Sequence, residues 1–199
     1  MSPPASARLR VLGGRYRGRR LMSLAGMATR PMLGRLRQRM FDILQGRVEG
    51  RVFADLYAGT GAVGIEALSR GARRAVFVDD SARAVRVIRK NLELLGLAAQ
   101  ATVRQGTVSR VIGRLHADLW FLGPPYEAHQ EYQDTLAALS RRPVGIVVAQ
   151  HSRDLKLARR YGRLERVRVV RTRRNRMSFF EPGKEHGPEG ALVLRGPPT

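Results

Sequence analysis

The stretch DLYAGTGAVG, from Asp55 to Gly64, constrains the fold more than any other part of the chain. It closes a short apolar run, RVFADLY, and opens GIEALSRG, a helical pattern stopped by Gly71. Gly59, Gly61 and Gly64 match G-x-G-x-x-G. A strand that turns on glycines straight into a helix starts a βαβ unit, and the helix N-terminus offers unbonded N–H groups to whatever lies above the turn. The same alternation continues downstream. RAVFVDD reads as a second strand, and SARAVRVIRKNLELLG as a helix with Val85, Ile88, Leu92 and Leu95 on one face, capped by Ser81 and Gly96. ATVRQG, ADLWFLG and VGIVVAQ read as further strands, separated by the helices VSRVIGRL and EYQDTLAALS. Strands alternating with helices predict a parallel sheet with helices on both faces, an α/β Rossmann-like fold. RLERVRVVRTRR and GALVLRG read as two late antiparallel edge strands with the loop PGKEHGP between them.

The first fifty residues differ from this core. LRVLGGRYRGRRLMS alternates around glycine turns as a small hairpin, and PMLGRLRQRMFDILQG reads as an amphipathic helix with Leu33, Leu36, Met40, Ile43 and Leu44 on its apolar face. The expected division is a basic extension over 1–50, packed on a core over 51–199. Charge follows that division. The chain carries 37 Lys and Arg against 16 Asp and Glu, a net charge of +21, and Lys90, Lys156 and Lys184 are its only lysines. Residues 1–50 hold 11 basic and 2 acidic side chains, residues 51–150 hold 13 and 9, and residues 151–199 hold 13 and 5. A GC-rich genome accounts for Arg over Lys, but not for the large net charge. Arginine pairs bidentately with phosphate and stacks on bases, so the two basic flanks point to a nucleic acid. With no cysteine, disulfides, thiolate catalysis and Cys-ligated metals are excluded. MSPPASARLR has no apolar signal core and no run is long enough to span a bilayer, so a cytoplasmic, monomeric protein without membrane or metal is expected. His116, His129, His151 and His186 are scattered without ligand spacing, and Trp120 reads as core. The run RTRRNR, Arg171 to Arg176, fits a solvated edge or a phosphate clamp.

The glycine loop alone permits a dinucleotide or S-adenosylmethionine. Asp79 and Asp80 end the second strand, where a carboxylate holds a ribose diol. Two features favour S-adenosylmethionine. Asp55, just before the glycines, is placed to face a positive amino acid end. The fourth strand runs into FLGPPYEA, a rigid loop at the strand ends where open α/β sheets bind ligands.

Together these residues resemble the bacterial RsmD-type family of S-adenosylmethionine-dependent guanine-N2 methyltransferases of small-subunit ribosomal RNA. The resemblance covers nearly the whole chain: RVLGGRYRGRRL, TRP at Thr29 to Pro31, Arg35, Arg37 and FDIL, DLYAGTGAVGIEALSRGA, VFVDD and FLGPPY. It implies a seven-stranded methyltransferase fold, with Asp55, Tyr57, Gly59, Gly61, Gly64, Asp79, Asp80 and Thr107 around the cofactor and Gly123, Pro124, Pro125 and Tyr126 at the target base. It also implies a basic extension gripping ribosomal RNA or the small subunit, with Arg15, Arg17, Arg19, Arg20, Arg30, Arg35 and Arg37 as contacts. The family pattern has Asp or Asn where Gly123 stands, Asp at Thr107, acids at Gly34 and Gln38, and Glu-His where Gln150-His151 stands.

Gly123 bears on the chemistry. The exocyclic amine of guanine is a poor nucleophile, and a site helps by accepting hydrogen bonds from it and aiming it. An Asp or Asn supplies one acceptor and the Pro124 carbonyl a second, while Tyr126 stacks on the base. Losing the side-chain acceptor costs about 1.5–3 kcal/mol, on the order of ten- to a hundredfold in rate. Two expectations compete: a methyltransferase with weakened catalysis, and a catalytically inactive RNA-binding protein of the same fold serving ribosome assembly. A DNA amino methyltransferase is a weaker third, because no target-recognition domain accompanies the core.

Overall fold

The computed structural model describes residues 9–24 and 31–183, the side chains of 31–33 aside. Arg30, the side chain of Leu33, most of the PGKEHGP loop and the strand expected over GALVLRG lie outside the described residues. Strands β1 (Val52–Leu56), β2 (Arg74–Asp79), β3 (Ala101–Gln105), β4 (Leu119–Leu122) and β5 (Ile146–Ser152) are parallel, as the alternation predicts. Strands β6 (Arg160–Tyr161), β7 (Leu164–Arg171) and β8 (Asn175–Pro182) complete one eight-stranded sheet in the order β3-β2-β1-β4-β5-β8-β7-β6. The chain runs outward from β1 to β3 and returns beside β1 as β4. The topological switch point, where such sheets hold ligands, therefore lies between β1 and β4.

Among the described residues eight strands stand where seven are expected, the smallest being the two-residue β6. The late strands also differ. β7 ends at Arg171, and the partner that follows it is β8, drawn from NRMSFFEP. The turn between them contains no Gly or Pro. The Thr172 N–H donates to the Asn175 carbonyl (2.9 Å), and the Asn175 N–H to Thr172 Oγ1 (3.0 Å), so two polar side-chain residues close it. β8 lies between β5 and β7, so Met177, Ser178, Phe179 and Phe180 are all buried and the strand lacks the alternation of a half-exposed one.

Helices α1 (Pro31–Ile43), α2 (Ala62–Ser69) and α3 (Ala82–Leu95) share one apolar layer with Leu36, Met40, Phe53, Ile65, Phe77 and Ile88. The other face packs α4 (Val108–Val111) and α5 (His129–Ser140) around Leu56, Trp120, Leu122 and Leu136. Helix α3 is capped as its sequence predicts: Ser81 Oγ accepts the Ala84 N–H, and Gly96 ends the helix at φ 67°. No helix among the described residues is long and apolar enough to cross a membrane.

Residues 9–24 form a small hairpin with an Arg10–Arg20 bridge. It is bonded onto α2 and α3. Fully buried Glu66 accepts the Leu12 N–H (2.8 Å) and Arg70 Nε (2.9 Å), Ser69 Oγ accepts the Tyr16 N–H (3.0 Å), and Asn91 Oδ1 accepts the Met22 N–H (2.7 Å).

Candidate active site

The three glycines have different tasks. At Gly64 a Cβ would sit 2.3 Å from the Phe77 ring, so this glycine lets α2 pack against β2. At Gly61 a Cβ would meet Ile88 at 3.2 Å. Gly59 has φ +58° and nothing within 4 Å of a built Cβ. It needs glycine for its conformation and leaves open space above the loop, which is room for a ligand approaching the backbone.

Buried groups hold the loop in place. The Gly59 N–H donates to Asp79 Oδ2 (2.8 Å), and the Ser81 N–H to Asp79 Oδ1 (3.0 Å). Asn91, fully buried, donates through Nδ2 to the carbonyls of Thr60 (3.0 Å) and Met22 (3.1 Å), tying the hairpin to the loop. Asp55 is buried, and its Oδ2 accepts the Gly64 N–H (2.8 Å). It thus satisfies an orphan donor in the first turn of α2, where Gly61 at the N-cap has no side chain to do so. Burial pushes the Asp55 carboxyl up to about 8, against the Gly64 hydrogen bond that favours its charged form. Tyr57 leaves β1 at φ 61°, a left-handed conformation rare outside glycine, and its hydroxyl lies 3.0 Å from Thr135 Oγ1 on α5. Asp79 is half-exposed, Asp80 and Thr107 are exposed, and the Gly106 N–H bonds the Asp79 carbonyl (3.0 Å), so the ends of β2 and β3 line one rim. Open space over Gly59 beside half-exposed Asp79 leaves room for a nucleoside cofactor, which the residues at the β1 and β2 ends would hold.

Gly123, Pro124, Pro125 and Tyr126 leave β4 at the same edge. Strands β1 and β4 pair as Leu56↔Leu122, so Tyr57 and Gly123 step out of neighbouring strands side by side. The Pro124 carbonyl is less available than its sequence position implies. Buried Tyr132 points its hydroxyl at the Gln150 carbonyl (2.7 Å) and at the Pro124 carbonyl (3.1 Å). The Tyr126 hydroxyl donates to Asn175 Oδ1 (2.6 Å) at the start of β8. A Cβ at Gly123 would lie 3.3 Å from the Phe121 ring edge, with no left-handed φ to forbid it. His151 is buried beneath, with Nδ1 at the Ser152 carbonyl (2.9 Å) and Nε2 at Ser178 Oγ (3.0 Å), and burial lowers its pKa to about 4. Among the described residues, no three His, Asp or Glu side chains gather as a metal site would require.

A family model described as Conserved hypothetical protein 95 matches residues 9–181. The chain belongs to this family, the RsmD type. It is 33% identical over 172 residues to the Bacillus subtilis protein YlbH, covering 80% of this chain and 91% of that one. It is 28% identical over 130 residues to Ribosomal RNA small subunit methyltransferase D of Haemophilus influenzae, covering 63% and 67%. Among solved structures, the Escherichia coli protein yhhF superposes with a TM-score of 0.78 at 23% identity, over 88% of this chain and 98% of that one. That likeness establishes the fold.

In this RsmD-type chain the structure places Tyr57, Gly59, Asp79, Asp80, Thr107 and the Pro-Pro-Tyr loop at one edge. Asp55, Gly61 and Gly64 lie buried beneath it, and Asp55 is bonded to the Gly64 N–H instead of facing open space as the sequence led us to expect. The basic residues are more dispersed. Arg15, Arg17, Arg19, Arg20 and Arg35 are exposed, but the hairpin tip bonds to Ser69, at the end of α2 remote from the glycine loop. Arg37 departs from the expectation of an RNA contact. It is buried, pairs with Glu66 (3.5 Å) and bonds the Arg10 carbonyl, so it fastens the hairpin to the core. Asn91, Tyr132, Thr135 and Asn175 escaped the sequence reading. Asn91 left a signal, a polar residue on the apolar stripe of α3; the other three became significant only through distant partners.

Proposed function

We propose that the protein is an S-adenosylmethionine-dependent methyltransferase acting on the exocyclic N2 amine of a guanine in small-subunit ribosomal RNA, with catalysis slowed at Gly123. The observation that carries this reading is the register Leu56↔Leu122, which sets a glycine loop and a Pro-Pro-Tyr loop side by side at the switch point of the sheet. Bound over Gly59, the cofactor supplies an electrophilic methyl group. Tyr126 then offers a ring face for a base held out of its helix, and the strand ends exclude water from below. The residues here would orient the amine and accept hydrogen bonds from it, and the proton it sheds on methylation would leave to solvent. Without a side-chain acceptor at position 123, the hydrogen bonds from the amine fall to backbone carbonyls, of which Pro124's is shared with Tyr132.

That same poverty of acceptors favours a second reading, an inactive RNA-binding protein of the same fold. The deciding experiment offers labelled S-adenosylmethionine with unmodified small subunits and with naked ribosomal RNA. Label appearing in N2-methylguanine supports the enzyme. Cofactor and RNA binding without label transfer supports the inactive protein, and label on another atom overturns the guanine-N2 reading.

A further inference from the structure

We infer that the β7–β8 turn is a phosphate-binding element for the RNA strand carrying the target base, and that Asn175 links its grip to Tyr126; this rests on the RNA-directed function proposed above. Strand β8 begins at Asn175, which pairs with Ser152 at the end of β5. The turn therefore stands at the same carboxyl edge as the Pro-Pro-Tyr loop. Arg171, Arg173 and Arg174 are exposed on it and Arg176 is partly exposed. Among the described residues, none of these four forms an ion pair with an acid, whereas Arg159 and Arg160 on the neighbouring β6 side both reach Glu165. Three planar forks on one tight turn suit successive phosphate groups of a single strand.

The wiring beneath the turn separates it from a merely solvated edge. Thr172 and Asn175 close it with reciprocal hydrogen bonds, and the Arg153 N–H braces the Arg174 carbonyl (3.0 Å). Asn175 is 6% exposed, and its amide oxygen takes the Tyr126 hydroxyl at 2.6 Å. A turn serving only to keep an open sheet edge from pairing needs its charges but no buried link to the loop beside the cofactor. Here a backbone clamp and a base platform are one hydrogen bond apart. Phosphates held on the turn fix the height at which the next base meets the Tyr126 ring.

The test uses a short fluorescein-labelled, guanine-containing single-stranded RNA and the full chain. Replacing Arg171, Arg173 and Arg174 together by alanine is expected to reduce the slope of log affinity against log salt by about two and to weaken binding on the order of tenfold. Wild-type binding with an unchanged slope in the variant overturns the clamp and leaves the proposed function standing. Wild-type protein that shows no salt-dependent binding of this RNA overturns the clamp, while the function is overturned only by the label-transfer result on subunits and ribosomal RNA. The link is read by NMR of the Tyr126 ring, whose signals are expected to shift on RNA addition in the wild type and in Asn175→Asp, which keeps an acceptor, but much less in Asn175→Ala. A Tyr126 shift in Asn175→Ala equal to that of the wild type overturns the link. Tyr126→Phe, which removes the same hydrogen bond from the other side, serves if Asn175→Ala does not fold.

Discussion

The loop after β1 and the loop after β4 leave paired strands at adjacent positions, yet they are built to different standards. The first is held from every side: Asp79 on Gly59, Asn91 on Thr60, Asp55 on Gly64, and Phe77 packed where only a glycine fits. The second has rigid prolines and a tethered tyrosine, but no side chain at 123, and a neighbouring carbonyl already shared with Tyr132. A loop that binds a cofactor needs its donors fixed before the ligand arrives. On the function proposed above, the second loop would aim acceptors at the reacting amine, and around Gly123 these would be backbone carbonyls, with Pro124's already bonded to Tyr132. On that reading, binding and turnover are expected to separate.

The largest expected effect breaks the better-built loop. Gly59→Val forces a branched side chain into a left-handed φ of +58° and into the space above the loop, so the melting temperature should fall, and calorimetry on the protein that remains folded should show S-adenosylmethionine binding below detection. Retained binding would move the cofactor away from Gly59. Next, Gly123→Asp should raise methyl transfer on the order of ten- to a hundredfold, from about 1.5–3 kcal/mol of restored acceptor, with cofactor affinity nearly unchanged. The Phe121 ring edge at 3.3 Å must give slightly. No gain, with cofactor still bound, would mean that the remaining acceptors do not aim the amine. A smaller loss, about tenfold, is expected for Tyr126→Ala in both backgrounds, since stacking contributes about 1–3 kcal/mol per base. If that substitution lowered RNA affinity instead of turnover, Tyr126 would be an anchor and not a positioning face.

The last test reads stability instead of activity, and concerns the cost of the first loop's order. Asp55 has a folded pKa of about 8, against about 4 in an unfolded chain. Between those values the folded state binds the additional proton, so Asp55 makes stability fall as pH rises through that window. Asp55→Asn keeps an acceptor for the Gly64 N–H and removes the titration. Urea denaturation at pH 5 and pH 8 should show a shallower decline with pH in the variant. Parallel curves for the two proteins would show that the carboxylate is better solvated than its burial implies.

How much of this was legible depended on the distance between partners. The β1–glycine–α2 unit, the caps of α3 and the five parallel strands are written in near neighbours, and each could be read from apolar spacing and turn residues. β8 was not, because its strand is buried on both faces and its turn is closed by Thr172 and Asn175 without glycine or proline. Arg37 shows the opposite difficulty. Within a run of arginines it looks like another phosphate contact, and only Glu66, on a different helix, makes it an internal strut.

By itself the sequence determined the glycine loop, the alternation that makes a parallel sheet, the positive flanks and the absence of an acid at position 123. These depend on the conformational freedom of single residues and on periodicity along the chain, which local chemistry dictates. Tertiary structure alone decided that Tyr57 stands beside Gly123, that Asp55 caps α2, that Asn91 joins hairpin to loop, and that Asn175 holds Tyr126 from 49 residues away. Such partners meet only when strand register is set, and register is chosen by burying both faces of the whole sheet at once, a condition that no short stretch of the chain can express.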